Sequence, residues 1–379
     1  MKKLFMVVNE DRFFLSHRKQ IALKAKEEGF DVTIVTKDTG QKQEVLDLGI
    51  KMVDLPINPT GMNPIQELKT FAFLLKLYFV KRPDVVHHVG LKTILWGSLA
   101  ARITHVKGVV NAVSGLGVAF STDSKSYITK GIIALLKIGH HRKRLQVIFQ
   151  NHDDESLFLQ SKIIKQEQSD FIKGSGVDLN EFKQTPLPQH DVVRILFTGR
   201  MVEEKGVKVL LEAAESLREK YDGKVEFVLC GGLSNNPKAM KEDYLQAHCD
   251  GKYIQWLGFR KDIKEQLMNS DIVAFPSYYR EGVPKSLIEA TAIGRPIVTT
   301  NSIGCRDTVE DGCNGFLVPI KDSKSLADKL EVLICDKELR ENMGLQSRRI
   351  AECDFSIENV VAKHINIYKS LINSSLIIQ

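Results

Sequence analysis

The chain has 379 residues, enough for two domains of about 150–200 residues each. Apolar residues make up 43% and charged residues 26%, the balance of a folded globular protein rather than a disordered or fibrous one. No apolar run approaches the ~20 residues that carry a helix across a bilayer, which sets aside a membrane-spanning class.

The net charge of +6 is unevenly spread. Residues 1–190 hold 27 Lys and Arg against 19 Asp and Glu, net +8, and the rest hold 26 against 28, net −2. A basic first half fits an anionic membrane surface or a phosphate-bearing substrate. Neither a nucleic-acid motif nor an aromatic-interleaved basic stripe accompanies it, so no nucleic-acid partner is expected. The six cysteines all lie between Cys230 and Cys353 with no Cys-x-x-Cys pair, which fits a reduced cytoplasmic protein and is poor spacing for zinc.

Along the chain, strand-like runs alternate with helical ones. Met1–Glu10 has an apolar stretch too short for a signal peptide and reads as a first buried strand over 3–8. Further β-branched, nearly continuous apolar runs follow at 31–35, 51–53, 84–87, 109–112 and 146–149. Helical patterns fall between them at 17–28, 64–81 and 91–104. Strands buried on both faces and separated by helices predict a parallel, doubly wound sheet. The segment Thr185-Pro-Leu-Pro-Gln-His190 has two prolines and no apolar period, and reads as a linker. The rhythm restarts with strands at 194–198, 224–230, 253–257, 272–275, 296–299 and 315–318. The expected architecture is therefore α/β: a Rossmann-like domain over 1–185, a second over 190–355, and a C-terminal helix within 356–379 bracing the N-terminal domain. A ligand cleft is expected between the two, at the carboxyl ends of both sheets.

The strongest chemical signal is Tyr279-Arg-Glu281-Gly-Val-Pro284-Lys-Ser-Leu-Ile-Glu289-Ala-Thr-Ala-Ile-Gly294. Pro284 suits the first position of a helix and Gly294 the residue just past its end. Amides near Lys285–Leu287 would then face outward with the positive end of the helix dipole, a site for an anion. Glu281 before the helix and Glu289 within it are poor phosphate ligands but good acceptors for sugar and ribose hydroxyls. A second signal is Phe197-Thr-Gly199-Arg200-Met-Val-Glu-Glu-Lys205-Gly206, where two cations follow a strand. Arg200 and Lys205 can neutralise a diphosphate without a metal as it leaves. No Asp-x-Asp stands in the chain to hold a metal, and none is expected.

Together with Lys173-Gly-Ser-Gly-Val-Asp-Leu-Asn-Glu-Phe182 and Trp256-Leu-Gly-Phe-Arg-Lys-Asp262, these segments resemble the donor-side motifs of glycosyltransferase family 4, retaining enzymes of the GT-B fold. The resemblance implies that Arg200, Lys205 and Glu281 are catalytic. It implies a nucleotide-sugar site built from Gly199, Arg200, Lys205, Gly231, Phe259, Arg260, Glu281, Gly282, Val283, Pro284, Lys285, Ser286, Leu287 and Glu289. Within it, Glu281 would contact the transferred sugar, Glu289 the ribose and the loop at 258–260 the base.

In the first half, Asp84-Val-Val-His-His88 and Asn111-Ala-Val-Ser114-Gly-Leu-Gly117 resemble bacterial enzymes that extend polyprenyl-diphosphate-linked saccharides for O-antigen, capsule or protein glycosylation. His17, His88, Ser114 and Gly115 are the expected acceptor-side residues. Asn9–His17 stands where many members of the family have a glycine-rich turn. The implied partners are a UDP-sugar donor and a lipid-diphosphate-linked saccharide, handled on the inner face of the cytoplasmic membrane. The basic run Arg142-Lys143-Arg144, after an apolar helix, is expected to dock on anionic lipid, as is the end of Phe71–Arg82. Two other classes share these features: an enzyme like UDP-N-acetylglucosamine 2-epimerase, which uses no acceptor, and a non-catalytic nucleotide-sugar-binding protein.

Overall fold

A computed structural model describes residues 1–59, 61, 63–116, 127–234 and 239–373. The chain divides into two compact units, 1–175 with 357–379, and 176–356.

The first unit opens with β1 (Lys2–Glu10), α1 (Asp11–His17), α2 (Lys19–Glu27), β2 (Phe30–Lys37), α3 (Lys42–Asp47) and β3 (Lys51–Asp54). It continues with α4 (Pro64–Lys81), β4 (Val85–Val89), α5 (Leu91–Ile103), β5 (Gly108–Val113), α6 (Tyr127–His140), β6 (Leu145–Phe149), α7 (His152–Gln160) and β7 (Ser169–Phe171). The strands pair in parallel in the order β3-β2-β1-β4-β5-β6-β7, so the order reverses between β1 and β4. All five residues of β4 and all six of β5 are buried, which is why their sequences lack alternation.

The second unit holds β8 (Val193–Thr198), α8 (Val207–Tyr221), β9 (Val225–Cys230), α9 (Glu242–His248), β10 (Ile254–Trp256), α10 (Ile263–Met268) and β11 (Ile272–Phe275). It ends with α11 (Lys285–Ile293), β12 (Ile297–Thr300), β13 (Gly315–Val318), α12 (Ser323–Cys335) and α13 (Lys337–Asp354). Its parallel order, β10-β9-β8-β11-β12-β13, reverses between β8 and β11. In open sheets of this kind ligands bind beyond the carboxyl ends of the strands at such a reversal. The last helix, α14 (Ile357–Ile372), belongs to the first unit, where it packs on α2 and β5.

Three expectations change. The predicted helix over 17–28 is α2, beginning at Lys19, and a separate helix, α1, precedes it, with His17 ending that helix rather than starting one. The change of unit falls at Ser175/Gly176, not in the proline segment. That segment is tied to the second unit by Arg295, whose guanidinium donates to the Thr185 carbonyl (2.8 Å), the Thr185 hydroxyl (2.7 Å) and the Pro186 carbonyl (3.2 Å). A seventh strand, β7, has no strong apolar run of its own and pairs at the sheet edge.

Candidate active site

Two loops meet where the second sheet reverses. Behind β8, Gly199 and Arg200 lead into a short 3-10 turn, Glu203–Lys205, and Gly206 then opens α8. Gly206 has φ +79, and a Cβ there would lie 2.0 Å from the Pro276 carbonyl oxygen. Only glycine lets the start of α8 press against the chain leaving β11. The contact is stitched by the Glu204 carbonyl, which accepts from the amides of Tyr278 (2.9 Å) and Tyr279 (3.1 Å). Gly231, after β9, is closed in similarly: a Cβ there would lie 1.7 Å from the Gly199 carbonyl oxygen. Its place in the site is to let the β8 and β9 ends approach, with no side chain to offer a ligand.

This approach brings Lys205 to Glu281. The ammonium bonds both carboxylate oxygens, at 2.6 and 2.7 Å, and lies 4.9 Å from the centre of the Phe275 ring. The two side chains are only 11% and 19% exposed. The sequence assigned the lysine and the glutamate to different parts of a ligand and did not foresee their direct pairing. Beneath them lies a layer it also missed. The Ser277 hydroxyl is 3.3 Å from Glu281 Oε1, while its carbonyl accepts from the hydroxyls of Thr300 and Ser302. Cys305 sits below, its thiol pushed up to about 11 by burial and by the Glu281 carboxylate, so it stays neutral. The legible trace of this layer is the hydroxyl-rich run Thr299-Thr-Asn-Ser302 at the end of β12.

α11 starts at the same place. Pro284 is the residue just before its first turn, with φ −63, rather than its first member. Gly282 and Val283 are buried behind it. The Leu287 amide is bonded to the Pro284 carbonyl (3.1 Å), whereas the Ser286 amide has no acceptor among the described residues. Fewer amides are therefore free at this helix end than the sequence predicts. Inside the helix, Lys285 stands 3.6 Å from Glu289. Burial holds the Glu289 carboxyl above the usual carboxylate range against the pull of that lysine. Arg200 is exposed, and its guanidinium is unpaired among the described residues. Among those residues, no three His, Cys, Asp or Glu side chains converge as a metal site.

Comparison with known proteins gives this arrangement a lineage. Residues 178–350 match the family described as glycosyl transferases group 1, and residues 3–151 match the glycosyl transferase 4-like family. The chain belongs to the family 4 glycosyltransferases. It is 28% identical to the Campylobacter jejuni N,N'-diacetylbacillosaminyl-diphospho-undecaprenol alpha-1,3-N-acetylgalactosaminyltransferase, over 95% of this chain and 99% of that one. It is 26% identical to the Escherichia coli UDP-Gal:alpha-D-GlcNAc-diphosphoundecaprenol alpha-1,3-galactosyltransferase, over 91% and 90%. A crystal structure of Anabaena HepE in complex with UDP superposes with a TM-score of 0.78 at 20% identity, over 98% of this chain and all of that one. The fold of this glycosyltransferase is thus GT-B, with two parallel sheets each flanked by helices.

The remaining expected residues divide. In the glycosyltransferase's second unit, Phe259 is 75% exposed, but Arg260 is engaged: its guanidinium forms a two-point pair with Asp262, at 2.8 and 2.5 Å. In the first unit, His88 is a correction. It lies inside β4, one residue from its end, and is fully buried, with Nδ1 donating to Asn111 Oδ1 (2.7 Å) and Nε2 facing the Tyr78 hydroxyl (2.9 Å). Asn111 in turn donates to Ser98 and to His140 Nε2, each at 2.9 Å. Burial holds both imidazoles low, at about 3 for His88 and about 4 for His140, and the motif that carries them is a core network. Ser114 and Gly115 follow β5 at its carboxyl end, and Gly117 lies outside the described residues. His17 stacks on Phe13 with ring centres 4.2 Å apart. Where the family often has a glycine-rich turn, buried Asp11 instead accepts from the amides of Thr39 and Gln41, pinning the loop after β2.

Proposed function

We propose that the glycosyltransferase is a retaining, metal-independent hexosyltransferase. It moves a sugar from a nucleotide-diphosphate donor, a UDP-sugar, to a polyprenyl-diphosphate-linked saccharide during bacterial surface-glycan or glycoprotein-glycan assembly. The observation that carries this reading is Lys205, little exposed and held by Glu281, where the loop that carries exposed Arg200 meets the loop that opens α11. An incoming diphosphate replaces Glu281 as the partner of Lys205, and Glu281 is released to accept hydrogen bonds from the sugar. The bond from anomeric carbon to diphosphate oxygen breaks with both electrons leaving on the diphosphate, while the acceptor hydroxyl oxygen bonds to the anomeric carbon on the same face and its proton passes to the departing diphosphate oxygen. Arg200, Lys205 and the helix end stabilise the charge that grows there as the sugar gains oxocarbenium character. The two relatives named for undecaprenyl-diphosphate-linked substrates span nearly the whole chain, which supports the acceptor class.

The test is incubation with a panel of nucleotide sugars and lipid-diphosphate acceptors, with and without chelator. Product is expected with a UDP-sugar and equally in both conditions. Loss in chelator, restored by magnesium or manganese, overturns the metal-free reading. Hydrolysis to free sugar with no acceptor product overturns the acceptor class.

Docking on anionic lipid at the cytoplasmic membrane is part of the same proposal, with a changed surface. Arg142 turns inward to the carbonyls of Val106 and Lys107, so the basic run does not present three free cations. The exposed face of α4 is the better fit: Ile65, Leu68, Phe79 and Val80 are each more than 60% exposed, with Lys69 and Lys76 among them. Replacing Leu68, Phe79 and Lys76 with serine is expected to weaken binding to anionic vesicles and slow transfer to a long-chain lipid acceptor, while sparing a short soluble one. Unchanged vesicle binding at low salt removes α4 as the docking face.

A further inference from the structure

The pair of Lys205 and Glu281 leans on a third residue. Ser277, fully buried in the loop after β11, has one hydroxyl proton and two acceptors for it. One is the Glu281 carboxylate, with Oε1 at 3.3 Å. The other, also at 3.3 Å, is the carbonyl of Glu204, the residue before Lys205. The same hydroxyl oxygen accepts from the Tyr279 amide at 3.3 Å. The backbone of Ser277 is fixed from behind. Its carbonyl accepts from the Thr300 hydroxyl and from the Ser302 hydroxyl (2.9 Å), and those two hydroxyls lie 2.8 Å apart. Its amide donates to the Phe275 carbonyl at 2.9 Å. A short side chain held in this way has little left to move but its proton.

Among the described residues, Lys205 and Ser277 are the side chains that hydrogen-bond the Glu281 carboxylate, and they are unequal. The ammonium is charged and close, at 2.6 and 2.7 Å. The hydroxyl, at 3.3 Å, stands outside the roughly 2.5–3.0 Å of a committed O–H donor, so its proton is shared between the carboxylate and the Glu204 carbonyl. When a diphosphate draws Lys205 away, Glu281 is left as a carboxylate only 19% exposed, with Ser277 as its remaining donor from the protein. A shielded carboxylate without a donor is costly, and hydrogen bonds to ionised acceptors are the strong ones. The shared proton then goes over to Glu281.

We propose that Ser277 is a positioning residue of the transfer reaction: its hydroxyl takes hold of Glu281 Oε1 when the donor diphosphate takes Lys205. The inference rests on the proposed sugar transfer and adds to it the group that keeps Glu281 in place while the transfer runs. With Oε1 held by the serine, Oε2 is left to accept from the sugar hydroxyls. Without the serine, the carboxylate follows Lys205 towards the diphosphate or turns to solvent, and the sugar loses its acceptor as charge develops. Ser277 touches neither sugar nor diphosphate and acts through Glu281. The loss therefore falls on kcat more than on donor KM.

In the full-length protein, Ser277→Ala is expected to lower kcat about 10-fold, the scale of one hydrogen bond to a charged group, with donor KM within about twofold of the wild type. The variant keeps the bond from the Tyr279 amide to the Glu204 carbonyl (3.1 Å), so the loop stays stitched, and circular dichroism checks its folding. Ser277→Cys, close in size and a weaker donor, gives a second point, with kcat between those of serine and alanine. The deciding measurement is a double-mutant cycle with Glu281→Ala. Once the carboxylate is gone the serine has nothing to position, and Ser277→Ala then changes kcat by less than about twofold. A role limited to holding the loop, and with it Lys205, costs the same with or without the carboxylate. Wild-type kcat in Ser277→Ala, or an equal loss in the Glu281→Ala background, overturns the inference and leaves the proposed function standing. A wild type that transfers no sugar from any nucleotide-diphosphate donor overturns both.

Discussion

Replacing Lys205 with alanine is expected to lower kcat by about 10²–10³-fold, the effect of removing one preorganised charge-stabilising group from a shielded site. The ammonium is fixed before any donor arrives, by two bonds of 2.6 and 2.7 Å to Glu281 and by the Phe275 ring. With 11% of its side chain exposed, it does not have to be stripped of water when the diphosphate departs. The variant should still fold, because Glu281 is itself 19% exposed and can turn its carboxylate to solvent. Glu281→Gln keeps the shape and frees the lysine. Its expected signature is a fall in kcat with donor KM unchanged or lower. Because the two groups act as one unit, the double variant should lose little more than Lys205→Ala alone, far from the sum of the two. Steady-state kinetics of all three, with circular dichroism as a check on folding, decide the matter. A near-normal kcat in Lys205→Ala places the diphosphate elsewhere.

Much of this was legible in the chain. Buried parallel strands have no alternation to disguise them, so twelve of the thirteen appear as apolar runs, and β7, with Ser169-Asp-Phe171 at the sheet edge, does not. The two loops of the candidate site were legible because glycine, proline, cation and carboxylate stand at short spacings after β8 and β11, and the reversal of strand order brings those two loops together. What escaped was long-range. Nothing in a linear spacing tells that Lys205 and Glu281, 76 residues apart, choose one another. The pair of Arg260 with Asp262, two residues on, is local and was passed over because that loop was read as facing the base. His88 was misjudged because a histidine near a strand end reads alike whether it faces a cleft or is buried under neighbouring elements. Its partners, Tyr78 and Asn111, come from two other elements, and His140 joins from a third through Asn111. Arg142 was misjudged for a similar reason: a basic run looks solvated until the carbonyls of Val106 and Lys107 are seen to capture its first member.

Gly206→Ala is expected to cost both stability and activity, and Gly251→Ala serves as its control. Both glycines have φ in the left-handed region, +79 and +75, where a side chain costs about 1–2 kcal/mol. At Gly251 nothing lies within 4 Å of the added Cβ, so that backbone term is the whole effect. At Gly206 the Cβ would stand 2.0 Å from the Pro276 carbonyl oxygen, and the obstacle is backbone that cannot rotate away. Overpacking adds about 1–3 kcal/mol. Together the terms lower Tm by roughly 5–15 °C in a unit of this size, against a few degrees for Gly251→Ala. The functional loss follows from where the strain is relieved. Moving the start of α8 away from the β11 exit breaks the bonds from Tyr278 and Tyr279 to the Glu204 carbonyl and carries Lys205 away from Glu281. Thermal unfolding and transfer kinetics of the two variants, side by side, are the check. If Gly206→Ala melts within a few degrees of Gly251→Ala and keeps its turnover, the close approach of these loops is not what holds Lys205 in place.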